Sequence, residues 1–212
     1  MGSFVADYHE MEEAFPLVYD LGRISLEWNM VEQFFTATIW ELLGHYPTGM
    51  ALTGRLGNIS KADAALRLAR ERIKDKDVLS AIEFACKSFN ILRVNRNALL
   101  NAHSIFRAEK GEKPSWRRAT DKGPVGHAST EADLADLEQL IAEICDLGKF
   151  VVALIPFLHK RHQKRWQGGV RPSLPDRFST PGLLAQTSEP SDEKVAAWAR
   201  SAKKSTKSGR SP

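Results

Sequence analysis

VLSAIEFACKSFNILRVNRNALLNAHSIF, Val78 to Phe106, contains neither glycine nor proline. Its composition predicts one long helix, running from about Asp77 to Phe106. Within it lies Arg93–His103, RVNRNALLNAH, which sets two arginines, three asparagines and a histidine among leucines. At about 100° per residue, with Asn90 as zero, Phe89, Leu92, Leu99 and Leu100 fall between about 180° and 280°. Arg96 falls near 240° and His103 near 220°, inside the apolar stripe. Asn90, Asn97 and Asn101 share an adjacent edge, with Arg93 and Ser104 beside them. A helix of this pattern buries a cation and an imidazole unless its face lines a groove, and burial is costly without partners.

Three further helices flank this one. The first spans about Met11 to Leu43, its apolar line Ile24, Trp28, Val31, Phe34, Phe35, Thr38, Ile39 and Leu42 recurring at helical spacing. GHYPTG, Gly44–Gly49, ends it with glycine and proline punctuation. The second begins at GNISKADAALRLARERI, with Ser60 as the expected N-cap and Asp63 three residues on. Ala64, Ala65, Leu68 and Ile73 form its apolar stripe. The fourth starts near Ser129 or Thr130, expected as its cap, and passes Pro156 before the basic cluster His159–Trp166. Between the third and fourth helices the polar RAEKGEKPSWRRATDKGPVGHAST reads as a long loop with room for a short hairpin. The fold class is therefore all-α, like a four-helix bundle.

The chain carries a formal charge of +4, but the charge is unevenly placed. From Gln167 to Pro212 there are eight basic and four acidic residues, so the first 166 residues are neutral. The basic balance belongs to a Pro-, Ser- and Lys-rich tail, 167–212, expected to be mostly disordered and to leave 1–166 as the helical domain. Leu174, Phe178 and Leu183 are its candidate anchors on that domain. Two separated cysteines, Cys86 and Cys145, predict buried thiols in a reducing compartment and no zinc site. The first fifteen residues show no secretory pattern, and Ala6 stands where a myristoylation signal has Ser or Thr. FVVALIPFLH is too short to span a bilayer. The expectation is a cytoplasmic protein without a membrane partner. Serine-hydrolase, zinc-protease and P-loop motifs are missing.

Arg96-Asn97-Ala98-Leu99-Leu100-Asn101-Ala102-His103 resembles the signature of the HEPN superfamily (higher eukaryotes and prokaryotes nucleotide-binding domains). That signature is an arginine, a polar follower, and a histidine late in a helix of an α-helical bundle. The resemblance covers about Met11 to Trp166, through helix order and this motif. It implies metal-independent RNA cleavage, by attack of a 2′-hydroxyl on the adjacent phosphodiester to leave a 2′,3′-cyclic phosphate. His103 would move the proton, Arg96 would hold the scissile phosphate, and Asn97 would orient the imidazole or bind a phosphate oxygen. Arg93 and Asn101 are the candidate substrate contacts, and no cofactor or metal is called for. Glu27, Glu32 and Glu83 are candidates for an acidic residue that orients the pair. The resemblance also implies a homodimer through the motif-bearing face and a defence or toxin–antitoxin setting with an antitoxin partner. Other members bind without cleaving, so a non-catalytic module for nucleotide or protein stays open beside the ribonuclease. Trp116, Arg117 and Arg118 in the loop read equally as an RNA clamp and as a folded-back apolar plug. His127 reads as solvated.

Overall fold

Periodicity and punctuation account for most of the helices in the computed structural model, which describes residues 8–102, 104–106, 113–120, 126–158 and 173–188. Five helices occur among these residues, together with a small antiparallel sheet, and the all-α class holds. The chain divides into two units. One comprises the chain to Arg96 together with Leu134–Leu183, and the other Asn97–Asp133 together with the chain from Leu184.

In the helical unit α1, Tyr8–Leu43, buries Ile24, Trp28, Val31, Phe35, Ile39 and Leu42 along one face. Gly44 then ends it with φ of 68°, a left-handed conformation that suits glycine. Beyond this glycine Tyr46–Thr53 forms a short helix, α2, which the Gly44–Gly49 punctuation did not announce. Pro47 sits in its first turn, where a missing N–H costs nothing, and the His45 ring accepts the Thr48 N–H at 3.3 Å. Helix α3, Asn58–Arg72, starts after Gly57, so Ser60 lies inside the helix and is not its cap. It buries Ala62, Ala65 and Ala69, and the small side chains bring it close to α1.

Asp75 caps α4, Lys76–Leu100, by accepting the N–H groups of Asp77 and Val78 at 3.0 and 3.2 Å. Phe89 of α4 stacks on Trp28 at 4.6 Å and meets Phe35 at 4.5 Å, forming the aromatic centre of the core. Helix α5, Leu134–Leu158, lies against α1 and buries Leu137, Leu140, Ile141, Ile144, Leu147 and Phe150. Gly148 of α5 faces Phe34 and Val31 of α1, which a methyl group added there would meet at 3.5 Å, an ordinary packing distance. Pro156 sits in the last turn of α5 without ending it.

Residues 173–183 of the same unit run along α4. Phe178 lies edge-on to Phe84 at 5.0 Å and to Phe150 at 5.9 Å. Arg177 donates to Ser80 Oγ at 2.8 Å and lies over the Phe84 ring, while Asn95 Nδ2 donates to the Gly182 carbonyl at 2.7 Å. Ser80, Phe84 and Asn95 share one edge of α4, so this segment is a strap along that edge. Phe178 is thus an anchor, as its sequence position suggested.

The second unit holds the sheet. Strands β1 (Ser104–Phe106), β2 (Ser115–Thr120), β3 (Gly126–Glu131) and β4 (Gln186–Ser188) pair antiparallel in that order. The expected long loop is thus a meander, and Ser129 and Thr130 are buried β3 residues instead of caps for α5. Trp116 centres the unit, sealed from solvent, with its indole N–H donating to the Ala132 carbonyl at 2.8 Å. The Ala132 N–H donates to the Pro114 carbonyl, and Lys113 pairs with Asp133 at 3.5 Å, closing the same corner.

Candidate functional site

The long third helix of the sequence reading stops at Leu100, six residues before its expected end. Its last carbonyls are taken by Asn101 N–H, donating to Asn97, and Ala102 N–H, donating to Leu99, both at 3.2 Å. The second of these is a tighter three-residue step that closes the turn, and Asn101 is exposed there, as asparagines favour. Ser104–Phe106 then continue as strand β1, not as helix. The helix that carries Arg96 therefore ends three residues short of position 103. His103 itself lies outside the described residues.

Arg93, Arg96 and Asn97 occupy the last two turns of α4, and all three are half-buried. Arg93 and Arg96 stand four and seven residues after Phe89, so they continue its core-facing line. Aromatic packing thus gives way to two guanidiniums along one side of one helix. The Nε atoms of both are shut off from solvent, and that of Arg93 meets no acceptor among the described residues. Arg96 and Asn97 each have an interaction partner. The division between the two units falls between Arg96 and Asn97, so Arg93 and Arg96 belong to the helical unit and Asn97 and Asn101 to the other.

The three candidate orienting carboxylates have other partners. Glu27 accepts the Cys145 thiol, whose pKa is raised first by partial burial and then by this contact. Glu32 accepts the Trp28 indole N–H and lies 3.6 Å from Lys61. Glu83 accepts two hydrogen bonds from Arg70, at 2.9 and 3.1 Å. Trp116 resolves the choice between clamp and plug: it is a buried plug and offers no face for a base to stack on. Arg117 and Arg118 beside it are half-buried, and each has an interaction partner. His127 falls in β3, opposite Ala119, and not in a loop.

Sequence reasoning missed the strap. Its Arg177–Ser80, Phe178–Phe84 and Gly182–Asn95 contacts occupy an edge of the motif-bearing helix. No alternation or period announces such a segment; of its three apolar candidate anchors, Leu174, Phe178 and Leu183, Phe178 makes the ring contacts and Leu183 is exposed. Among the described residues no three His, Cys, Asp or Glu side chains gather as a metal site, and no helix is long and apolar enough to cross a membrane. Comparison with known proteins finds no matching family model, no similar curated protein and no similar solved structure.

Proposed function

We propose that the chain is a HEPN-like protein acting on RNA, a metal-independent endoribonuclease built around the end of α4. The observation that carries this reading is the replacement of the Phe89 core line by Arg93 and Arg96, with Asn97 next in sequence. Half-buried guanidiniums have fixed charge and forked donors, which suit a phosphodiester better than a mobile surface lysine does. In the reaction His103 takes the 2′-hydroxyl proton or delivers one to the leaving 5′-oxygen. Arg96 stabilises the charge that develops on the non-bridging oxygens. Asn97 orients the imidazole or the phosphate, and Arg93 and Asn101 bind the flanking backbone. An antitoxin-like partner and a cytoplasmic setting belong to the same proposal, and a homodimer is expected whichever face it uses.

A second reading, a non-catalytic binding module, is favoured by the end of α4 at Leu100, since the one-face spacing of the motif presupposed a helix that continues past that point. Labelled RNA incubated with the protein and EDTA separates the two. The ribonuclease reading expects wild-type cleavage to 2′,3′-cyclic phosphate ends, with a loss of about 100-fold or more in His103→Ala and Arg96→Ala. Equal cleavage by all three proteins sinks it. RNA retention without cleavage, weakened by Arg96→Ala alone, establishes the module.

A further inference from the structure

Helix α1 is apolar on two opposite sides, and only one of them is used by the core. Ile24, Trp28, Val31 and Phe35 are buried. On the far side Phe15, Val18, Tyr19, Leu26 and Met30 are each more than half exposed. On a helical wheel Phe15, Tyr19, Leu26 and Met30 fall within about 60° of one another, with Gly22 about 20° beyond and Val18 flanking. This is a continuous stripe about 22 Å long. Single exposed apolar residues are ordinary, but a contiguous stripe of large ones marks an interaction surface.

The order of residues along the stripe points to its occupant. Phe15 and Met30 lie equally far from the Gly22–Arg23 bond, and so do Tyr19 and Leu26. A two-fold axis through that bond, with two α1 helices antiparallel, sets the aromatic half of each stripe on the aliphatic half of the other. Phe15 then meets Met30, a favourable thioether–aromatic pairing, and Tyr19 meets Leu26. Gly22 lies beside the axis, and a Cβ added there would touch nothing, so the backbones have room to approach. Arg23, also beside the axis, is already neutralised by Asp20 at 3.3 Å and lies over the Tyr19 ring. Two copies therefore do not bring bare like charges together.

Area favours the same occupant. The stripe offers on the order of 500 Å² per copy, so a pair buries about 1,000 Å², the lower bound for a specific interface. The chain's own segments outside the described residues are poor alternatives: before Tyr8 the large apolar residues are Met1, Phe4 and Val5. From Glu189 to the end Val195 and Trp198 are the large apolar residues, and from His159 to Pro172 they are Trp166 and Val170. Two or three such side chains do not cover five.

We propose that the chain forms an antiparallel homodimer through the outer stripe of α1, and not through the motif-bearing helix. The dimer stands independently of the ribonuclease reading. Sedimentation of the full chain at tens of micromolar tests it beside Tyr19→Glu and Leu26→Glu, surface changes whose folding is checked by far-UV circular dichroism. The wild type is expected as a dimer and both variants as folded monomers, with dissociation constants raised at least tenfold. A monomeric wild type overturns the proposal, whether its stripe is covered by its own terminus or binds lipid vesicles, and so does dimerisation of both variants. Orientation is read in a Cys145→Ser background, where Phe15→Cys and Met30→Cys chains are expected to form a disulfide when mixed under mild oxidation. Crosslinking of either chain with itself, or no crosslink in the mixture, overturns the antiparallel arrangement.

Discussion

Trp28 and Trp116 are both sealed from solvent, yet they are fixed in different ways. The Trp28 indole N–H donates to Glu32, one helical turn along the same helix. Trp116 donates to the Ala132 carbonyl, sixteen residues away, a contact that exists only once the sheet has formed. The first tryptophan is held by local geometry and stacks on Phe89. The second is the consequence of a register. One core is therefore made by a period, the other by a set of pairings.

The sharpest way to break this contrast is truncation. Trp28→Ala is expected to cost about 3–5 kcal/mol, read as a loss of stability in denaturant unfolding of the helical unit. Trp116→Ala is expected to cost a similar amount, but the loss should appear as faster amide exchange in β1–β4 while α1 and α5 keep their protection. Uniform loss of protection in both variants would show that the two units unfold as one.

A milder change separates the hydrogen bonds from the ring packing. Trp116→Phe strands the buried Ala132 carbonyl and is expected to cost about 1–3 kcal/mol. Trp28→Phe is expected to cost less, because Glu32 keeps Lys61 as a partner. Equal losses measured in matched unfolding curves would contradict the distinction.

At neutral pH the smallest effect belongs to a thiol of the helical unit, whose contribution changes only under alkaline conditions. Burial beside the carboxylates of Asp63 and Glu83 pushes the Cys86 thiol up to about 12 from its ordinary 9.0. Above pH 9 the unfolded chain releases this proton and the folded chain holds it, so stability falls as pH rises toward 12. The slope from this group reaches about 1.4 kcal/mol per pH unit, and it should vanish in Cys86→Ala. An unchanged slope in the variant would assign it to other groups.

The same division explains what was legible in the sequence. The α1 line from Ile24 to Leu42 could be read because each contact follows from helical spacing, and nearly all of it is buried. Phe34, the half-buried exception, lies toward Gly148 at the margin of the face. In α3 the stripe is offset from the one expected: Ala62 and Ala69 join Ala65, while Leu68 is half-buried. Alanines carry little hydropathy signal, so the face was drawn through the larger residue. The end of α4 was not legible, because Asn101 and Ala102 are compatible with a helix until a strand competes for the residues beyond. That strand is only Ser104–Phe106 and is too short to show alternation. For the candidate site, composition singled out Arg93, Arg96 and Asn97. Their relation to His103 depended on the helix continuing, which spacing alone does not establish.

Strand β4 also bears on how the chain can be shortened. A cut after Trp166, the boundary that composition suggests, would remove the Gln186–Ser188 pairing and leave one side of β3 as a bare row of amides and carbonyls. Such an edge invites intermolecular strand addition and insoluble protein. The same cut would uncover Phe84 and Phe150 by removing Phe178. A cut after Ser188 keeps both and still discards most of the basic residues that lie beyond Trp166.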